Sequence, residues 1–145
     1  MRAIEGIRRS GVAIRPDQTM AEAAEIMERA GVGALAVVDG DHLVGIVTDR
    51  DLVRRGLARG YAPDVRVDSL MSSPVVTIEA DADLRSAYAI FRSNAVRRLV
   101  VTERGHFAGV LAIDDLLINI AADLSDLVRP VTAEAIIGHR DSPVP

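Results

Sequence analysis

The chain has 145 residues, a formal net charge of −4, no cysteine and a hydrophobic content of 49%. This charge argues against a nucleic-acid-binding surface, which is usually strongly basic, and the lack of cysteine excludes disulfides and thiolate metal sites. The sequence contains no apolar run long enough to span a bilayer and no apolar signal-peptide core near its N terminus. We therefore expect a cytoplasmic globular protein that binds neither membrane nor nucleic acid.

The first predicted elements are a short strand at residues 12–14 and an amphipathic helix that follows it. Thr19 and Glu22 have the spacing of a capping box at the start of this helix. Four residues at helical spacing predict its buried face: Met20, Ala23, Ala24 and Met27. A core filled by aliphatic side chains is therefore expected beneath the helix.

A β-hairpin and a second helix are predicted next. The apolar runs Leu35–Val38 and Leu43–Val47 flank Asp39-Gly40, and an Asp-Gly pair is typical of a tight hairpin turn. The helix is expected to begin near Asp51. The first half of the chain thus has the predicted order β-α-β-β-α.

The second half repeats this order. Aligning Ala13–Leu52 with Thr77–Leu116, a shift of 64 residues, needs no gap. Identical residues occupy eleven pairs of positions: Ile14/Ile78, Asp17/Asp81, Ala23/Ala87, Ile26/Ile90, Val32/Val96, Leu35/Leu99, Val37/Val101, His42/His106, Gly45/Gly109, Asp51/Asp115 and Leu52/Leu116. Such self-similarity indicates a duplicated unit. We predict an α/β (α+β) fold with two β-α-β-β-α copies, each forming a mixed sheet.

The prolines and the repeat suggest the domain boundaries. We assign residues 1–60 to the first repeat, 61–73 to a linker, 74–122 to the second repeat and 123–145 to a C-terminal tail. In the tail, one further helical turn is expected before Pro130, and the chain is expected to fray after Gly138.

Several segments resemble cystathionine-β-synthase-type (CBS) domains. Gly45–Leu52 has the sequence Gly, two apolar residues, Thr, two variable residues, Asp and Leu, and Gly109–Leu116 matches it except for Ala112. Val96–Val101 resembles the basic second strand of these domains, and Leu70–Ile78 resembles their opening segment. The resemblance spans roughly residues 12–122.

This resemblance carries expectations about structure and role. CBS domains work as pairs related by a pseudo-twofold axis, and clefts between the copies bind AMP, ADP, ATP, S-adenosylmethionine or NAD-type ligands. Pairs commonly form homodimers, and they regulate a partner protein instead of catalysing a reaction. The resemblance therefore implies a regulatory adenosyl-ligand sensor with no cofactor, a homodimeric state and an unidentified regulated protein.

The residues that match the family pattern indicate which side chains would contact the ligand. Asp51 and Asp115 are the candidates for the ribose hydroxyls, since an ionised carboxylate accepts hydrogen bonds from both. Thr48 and the helix N terminus behind it suit a phosphate, and so do the forked guanidinium groups of Arg97 and Arg98. We expect the tighter site to combine Thr48 and Asp51 with one of these arginines, and the Asp115 site to be weaker.

The adenine is expected to lie against apolar backbone at the first strand of each copy. The residues that we assign to this contact are Val12, Ala13, Val76 and Thr77, with Ile46 or Val110 behind the base.

Structural explanations of the same residues remain open. Thr48 and Asp51 also have capping-box spacing and can simply begin a helix, and Asp114 can cap the second copy. Arg97 and Arg98 can pair with carboxylates instead, and Asp68 and Glu103 are the candidates for this. A solvated helix face is predicted for Arg50, Arg54, Arg55 and Arg59, and exposed hairpin tips without metal for His42 and His106.

Enzyme motifs are missing from the sequence. It has no Walker A motif, Gly-x-Ser-x-Gly elbow, Gly-x-Gly-x-x-Gly loop or His-Glu-x-x-His pair. We therefore expect no catalytic residues and no enzymatic activity. The alternative to a ligand sensor is a ligand-free scaffold that serves only dimerisation or docking.

Overall fold

A computed structural model describes residues 2–3 and 11–140, with side chains as far as residue 129. The strands are β1 (Ala13–Ile14), β2 (Ala34–Asp39), β3 (His42–Thr48), β4 (Thr77–Glu79), β5 (Arg98–Glu103) and β6 (His106–Ala112). The helices are α1 (Met20–Ala30), α2 (Asp49–Asp51), α3 (Leu84–Asn94) and α4 (Ile113–Arg140). After α2 the chain continues as a π-helical turn (Leu52–Gly56) and a 3₁₀ turn (Leu57–Arg59). The predicted α/β duplication is confirmed.

The two halves have the same sheet topology. In each sheet a short first strand pairs parallel with the middle strand, which pairs antiparallel with the third. The register shifts at equivalent places, between Val37 and Val38 and between Thr102 and Val101. The hairpin turns contain Gly40 at φ 59° and Gly105 at φ 80°, where glycine is favoured because it lacks a Cβ.

Side-chain caps begin α1 and α3, the helices that follow the first strand of each half. The Glu22 backbone N–H donates to the Thr19 hydroxyl at 3.1 Å, and the Arg85 N–H donates to the Asp83 carboxylate at 3.2 Å. A hydrogen bond from the Gln18 side chain lowers the pKa of the Glu22 carboxyl. The predicted cap at Thr19 is confirmed, and Asp83 is the cap of α3.

Each half has its own aliphatic core between helices and sheet. The first core contains Ile14, Met20, Ala23, Met27, Leu35, Val37, Val47, Leu52, Val67 and Leu70. The second contains Ala3, Ile78, Ala80, Leu84, Ala87, Phe91, Leu99, Val101, Leu111 and Leu116. Alternate residues of the middle strands, Ala36 and Val100, are fully buried outside these cores. Since β6 contacts both β2 and β3, these residues lie where the halves meet.

The segment preceding each repeat packs against the other repeat. Val67 is fully buried in the first core, and its N–H donates to the Gln18 carbonyl at 2.8 Å. Ala3 is fully buried in the second core, and its N–H donates to the Ala82 carbonyl at 2.7 Å. Residues 61–73, expected as a linker, are therefore partly built into the first half.

The C-terminal segment differs from its expectation. The sequence predicted one helical turn before Pro130, but α4 continues through this residue to Arg140. A proline removes one N–H donor and tends to kink a helix, but it does not prevent helical backbone on both sides. The fraying expected after Gly138 concerns residues that lie largely outside the described part of the chain.

Candidate functional site

A cleft of about 580 Å³ lies between the two halves. We call it the interhalf cleft, and its lining residues are Gly11, Val12, Gly31, Val32, Gly33, Ala34, Arg98, Val110, Ala112, Asp115 and Ile118. The first half supplies mostly glycines and small apolar residues, whereas the second half supplies the charged side chains. The cleft is therefore composite, but it does not include Thr48 and Asp51, which the predicted composite site combined with an arginine. Four other predicted site residues line it: Val12, Arg98, Val110 and Asp115.

Small residues keep the first-half wall open. Gly31 ends α1 in the left-handed conformation at φ 63°. A Cβ built on Gly33 would lie 3.0 Å from Asp49 Oδ2 and 3.4 Å from Arg98 Nη2. Even an alanine at this position would therefore crowd both charged groups. These glycines were not predicted as site residues, although the Gly-Val-Gly-Ala run at 31–34 was a visible signal.

The two charged side chains that line the cleft have no partners among the residues that the structure describes. Within residues 2–3 and 11–140, neither the Arg98 guanidinium nor the Asp115 carboxylate makes a hydrogen bond or ion pair. Both residues are half-buried. A partly desolvated charge without a partner is energetically unfavourable, so the pair suits a ligand that supplies both hydroxyl donors and an anionic group.

Thr48 and Asp51 are bonded to each other instead. The Asp51 N–H donates to the Thr48 hydroxyl at 3.1 Å, and the Thr48 N–H donates to Asp51 Oδ2 at 2.9 Å. Arg55 Nε lies 3.7 Å from Asp51 Oδ1. This is the capping box that was left open as the structural explanation, so it is confirmed as the local role of both residues.

Arg55 also has a structural role, although the sequence predicted it to lie on a solvated helix face. Its Nη1 donates to the carbonyls of Leu70 at 3.3 Å and Met71 at 3.1 Å. The guanidinium thus ties the helical segment after β3 to residues 70–71, and Arg55 is half-buried, not fully solvated.

Arg97 lies away from the cleft wall. Its side chain is exposed, and Nη2 lies 3.5 Å from Asp114 Oδ1. A carboxylate partner was one of the open alternatives, but the residue is Asp114 and not Asp68 or Glu103. Asp68 pairs with Arg66 at 2.8 Å instead.

The remaining predicted contacts do not line the interhalf cleft. Ala13 and Thr77 pair with the middle strands of their sheets, and the Val76 carbonyl accepts from the Val100 N–H at 3.1 Å. Ile46 exchanges backbone hydrogen bonds with Ser72 at 3.1 and 2.8 Å.

The described part of the chain gives little support for a metal site or a membrane-spanning helix. His42 and His106 are exposed, and no group of three or more metal-ligating side chains occurs among the described residues. The described helices include none that is long and apolar enough to cross a membrane.

Comparison with known proteins identifies the repeated unit. The CBS-domain profile matches residues 4–58 and 67–122. CBS domain-containing protein YhcV of Bacillus subtilis is 33% identical over 106 residues, which cover 73% of this chain and 76% of that protein. The crystal structure of a CBS-domain containing protein from Agrobacterium tumefaciens is 27% identical, with a TM-score of 0.71, covering 82% of this chain and 98% of the other.

A third relative was solved with a ligand. The CBS domain protein of Pyrobaculum aerophilum complexed with AMP aligns with a TM-score of 0.72 at 24% identity, covering 84% of this chain and 99% of that one. At 24% identity, this similarity shows a shared fold. Together with the two matched segments and the duplicated topology, these similarities show that the chain belongs to the CBS-domain family and carries a tandem pair of CBS repeats.

Proposed function

We propose that this chain is a non-enzymatic regulatory module that binds an adenosine-containing ligand in the interhalf cleft. Tandem CBS proteins are regulatory ligand-binding modules, and the relative from Pyrobaculum aerophilum is complexed with AMP. The observation that carries the proposal is a pair of half-buried charges, Arg98 and Asp115, which have no partner in the described part of the chain and line a cleft of about 580 Å³.

Asp115 is the proposed ribose contact. Its carboxylate lies in the first turn of α4 and lines the cleft, and an ionised carboxylate can accept from two neighbouring hydroxyl groups. Hydrogen bonds to a charged group typically contribute about 1.5–3 kcal/mol each. Asp51 is the equivalent residue of the first repeat, but its oxygens already accept from the Thr48 N–H and face Arg55.

Arg98 is the proposed phosphate contact, and the adenine is proposed to lie between apolar side chains. The guanidinium reaches the glycine wall of the first half, and its fork can bind two phosphate oxygens. Val12 from the first half and Val110 from the second line the same cleft. We therefore propose the Asp115 cleft as the tighter site, which reverses the ranking based on sequence.

The ligand is proposed to act by shifting the relative positions of the halves. A ligand that bridges two bodies favours the arrangement that it binds better, and only by its difference in affinity. The glycine wall belongs to the first half and both ligand-binding charges to the second, so occupancy couples the two repeats. A regulated protein partner would then recognise the ligand-bound arrangement.

A homodimer is proposed as the functional state. Several large apolar side chains are exposed on the helical segments after β3 and β6: Val53, Leu57, Leu117, Ile118, Leu124, Leu127 and Val128. Tyr61, just after the first of these segments, is exposed as well. Val53 and Leu117 are equivalent in the duplication. A face whose parts are related by internal symmetry suits a second copy of the same chain, because a twofold interface uses one surface twice.

Calorimetric titration tests the ligand proposal. AMP, ADP, ATP, S-adenosylmethionine and NADH are titrated into freshly purified protein after mass spectrometry has identified any retained ligand. At 100-fold excess over Kd, a bound ligand is expected to stabilise the fold by about 2.7 kcal/mol. Asp115→Asn should lose at least tenfold in affinity, whereas Asp51→Asn should change it less than threefold. Failure of all five compounds to bind would contradict the proposal.

A ligand-free scaffold is the second candidate. The internal bonding of Thr48 and Asp51 favours it, since at this position the chain satisfies its own polar groups. It predicts that no adenosyl compound changes the melting temperature while the protein still dimerises and captures its partner.

A further inference from the structure

The charges beside the interhalf cleft point to a preference among adenine nucleotides. We infer that the cleft selects a nucleoside monophosphate over a triphosphate, with Asp49 as the residue that determines this specificity. The inference rests on the proposed function, because it concerns which ligand the same cleft accepts. It goes further by assigning a role to a carboxylate at one of the two variable positions of the CBS signature.

Asp49 has a fixed orientation next to Arg98. Its Oδ1 accepts from the Arg50 backbone N–H at 2.8 Å, and its own N–H donates to the Gly33 carbonyl at 2.9 Å. Its Oδ2 and Arg98 Nη2 flank the same point, where a Cβ on Gly33 would lie 3.0 Å from the oxygen and 3.4 Å from the nitrogen. The two groups are neighbours, although they form no ion pair within 4.0 Å.

A phosphate that reaches Arg98 therefore also approaches the Asp49 carboxylate. One phosphate group binds the guanidinium, and this attraction exceeds the repulsion because the cation is the direct contact. Each further phosphate adds negative charge, and the described residues that line the cleft include no second cation to bind it. Asp115 in the same cleft is a second carboxylate, and Asp114 in the same turn of α4 engages Arg97.

The sequence of the first half strengthens the argument. Where the second repeat has Arg97 and Arg98, the first has Gly33 and Ala34, so no basic side chain comes from this strand to offset Asp49. The first half thus contributes room to the cleft and a negative charge beside its Gly33 wall. Room for the ligand combined with like-charge repulsion favours the less charged member of a nucleotide series.

The test compares AMP and ATP by calorimetry on the full chain. The buffer contains EDTA, since bound Mg²⁺ would neutralise part of the triphosphate charge. Wild-type protein should bind AMP at least tenfold more tightly than ATP. Asp49→Asn keeps an oxygen that accepts from the Arg50 N–H and should narrow this ratio by roughly three- to tenfold, mainly through tighter ATP binding. The preference should also shrink as salt is raised.

Asp41→Asn is the matched control. Asp41 is an exposed hairpin residue outside the cleft lining, and its substitution changes the net charge by the same amount. It should leave the AMP-to-ATP ratio within twofold of the wild type. Equal binding of AMP and ATP, or equal effects of the two variants, would overturn the inference while leaving the proposed function intact. Binding of neither nucleotide would overturn both.

Discussion

At equivalent positions 48 and 112, the first repeat has Thr and the second has Ala, and the threonine hydroxyl changes what the neighbouring carboxylate does. Thr48 accepts from the Asp51 N–H, and Asp51 in return accepts from the Thr48 N–H. Ala112 has no hydroxyl, and the Asp115 side chain has no partner among the described residues. One carboxylate is therefore committed to the backbone of its own helix, whereas the other is available to a ligand.

Exchanging the two residues tests this contrast. Thr48→Ala should lower the free energy of unfolding by about 0.5–2 kcal/mol, because it removes the side-chain cap. Ala112→Thr should raise it by up to about 1 kcal/mol by capping α4 and should weaken AMP binding by drawing Asp115 into a new capping box. Urea unfolding and calorimetry measure the two effects. Equal stability changes of the same sign would contradict this account.

Glycines in the repeated signature have packing roles that the residue pattern alone did not explain. A Cβ on Gly45 would lie 2.4 Å from Met71 Sδ, and a Cβ on Gly11 would lie 2.6 Å from Gly109 Cα. Both distances are too short for a carbon contact. The signature glycines at 45 and 109 are thus places where the segment before a strand or repeat approaches the sheet closely.

At the scale of elements, residues 61–73 show where sequence periodicity was least informative. Prolines and turns interrupt this segment, which predicted a linker, but Val67 and Leu70 are fully buried in the first core. The backbone is held as well, since the Met20 N–H donates to the Val65 carbonyl at 2.8 Å. A short irregular segment has no period from which burial can be predicted, so only tertiary contacts identify it as part of the core.

Truncating one of these side chains should have a large effect on stability. Val67→Ala is expected to lower the free energy of unfolding by about 1–3 kcal/mol, since it removes fully buried methyl groups and leaves a cavity. The control Glu28→Ala truncates an exposed side chain on α1 and should change stability by less than about 0.5 kcal/mol. A linker without structural role would give two equally small changes in urea unfolding.

The whole molecule is a pair of similar halves with one extended helix. The family match ends at residue 122, whereas α4 continues to Arg140. Leu124, Leu127 and Val128 are exposed along this extension, and Asp123, Asp126 and Arg129 lie beside them. An antiparallel pair of these helices brings acidic residues of one copy towards the basic residue of the other, so both charge and apolar surface favour self-association.

Polar substitutions on this helix test the dimer. The double variant Leu124→Ser and Leu127→Ser should shift the protein from dimer to monomer in sedimentation velocity experiments, because it removes apolar area that dimerisation buries. Both side chains are exposed in the single chain, so the fold itself should lose less than about 1 kcal/mol. An unchanged sedimentation coefficient would show that α4 does not form the interface.

The sequence by itself determined the duplication, the order of elements, the capped helices and the family, since local periodicity and repeated spacing encode all of these. It also identified Val12, Arg98, Val110 and Asp115, which line one cleft. Only the tertiary structure decided that Asp51 is held by its own helix whereas Asp115 has no partner among the described residues. That outcome depends on how the halves face each other: Arg98 meets the Gly33 wall, while Asp51 is held by its own helix, and neither arrangement has a signature in local sequence.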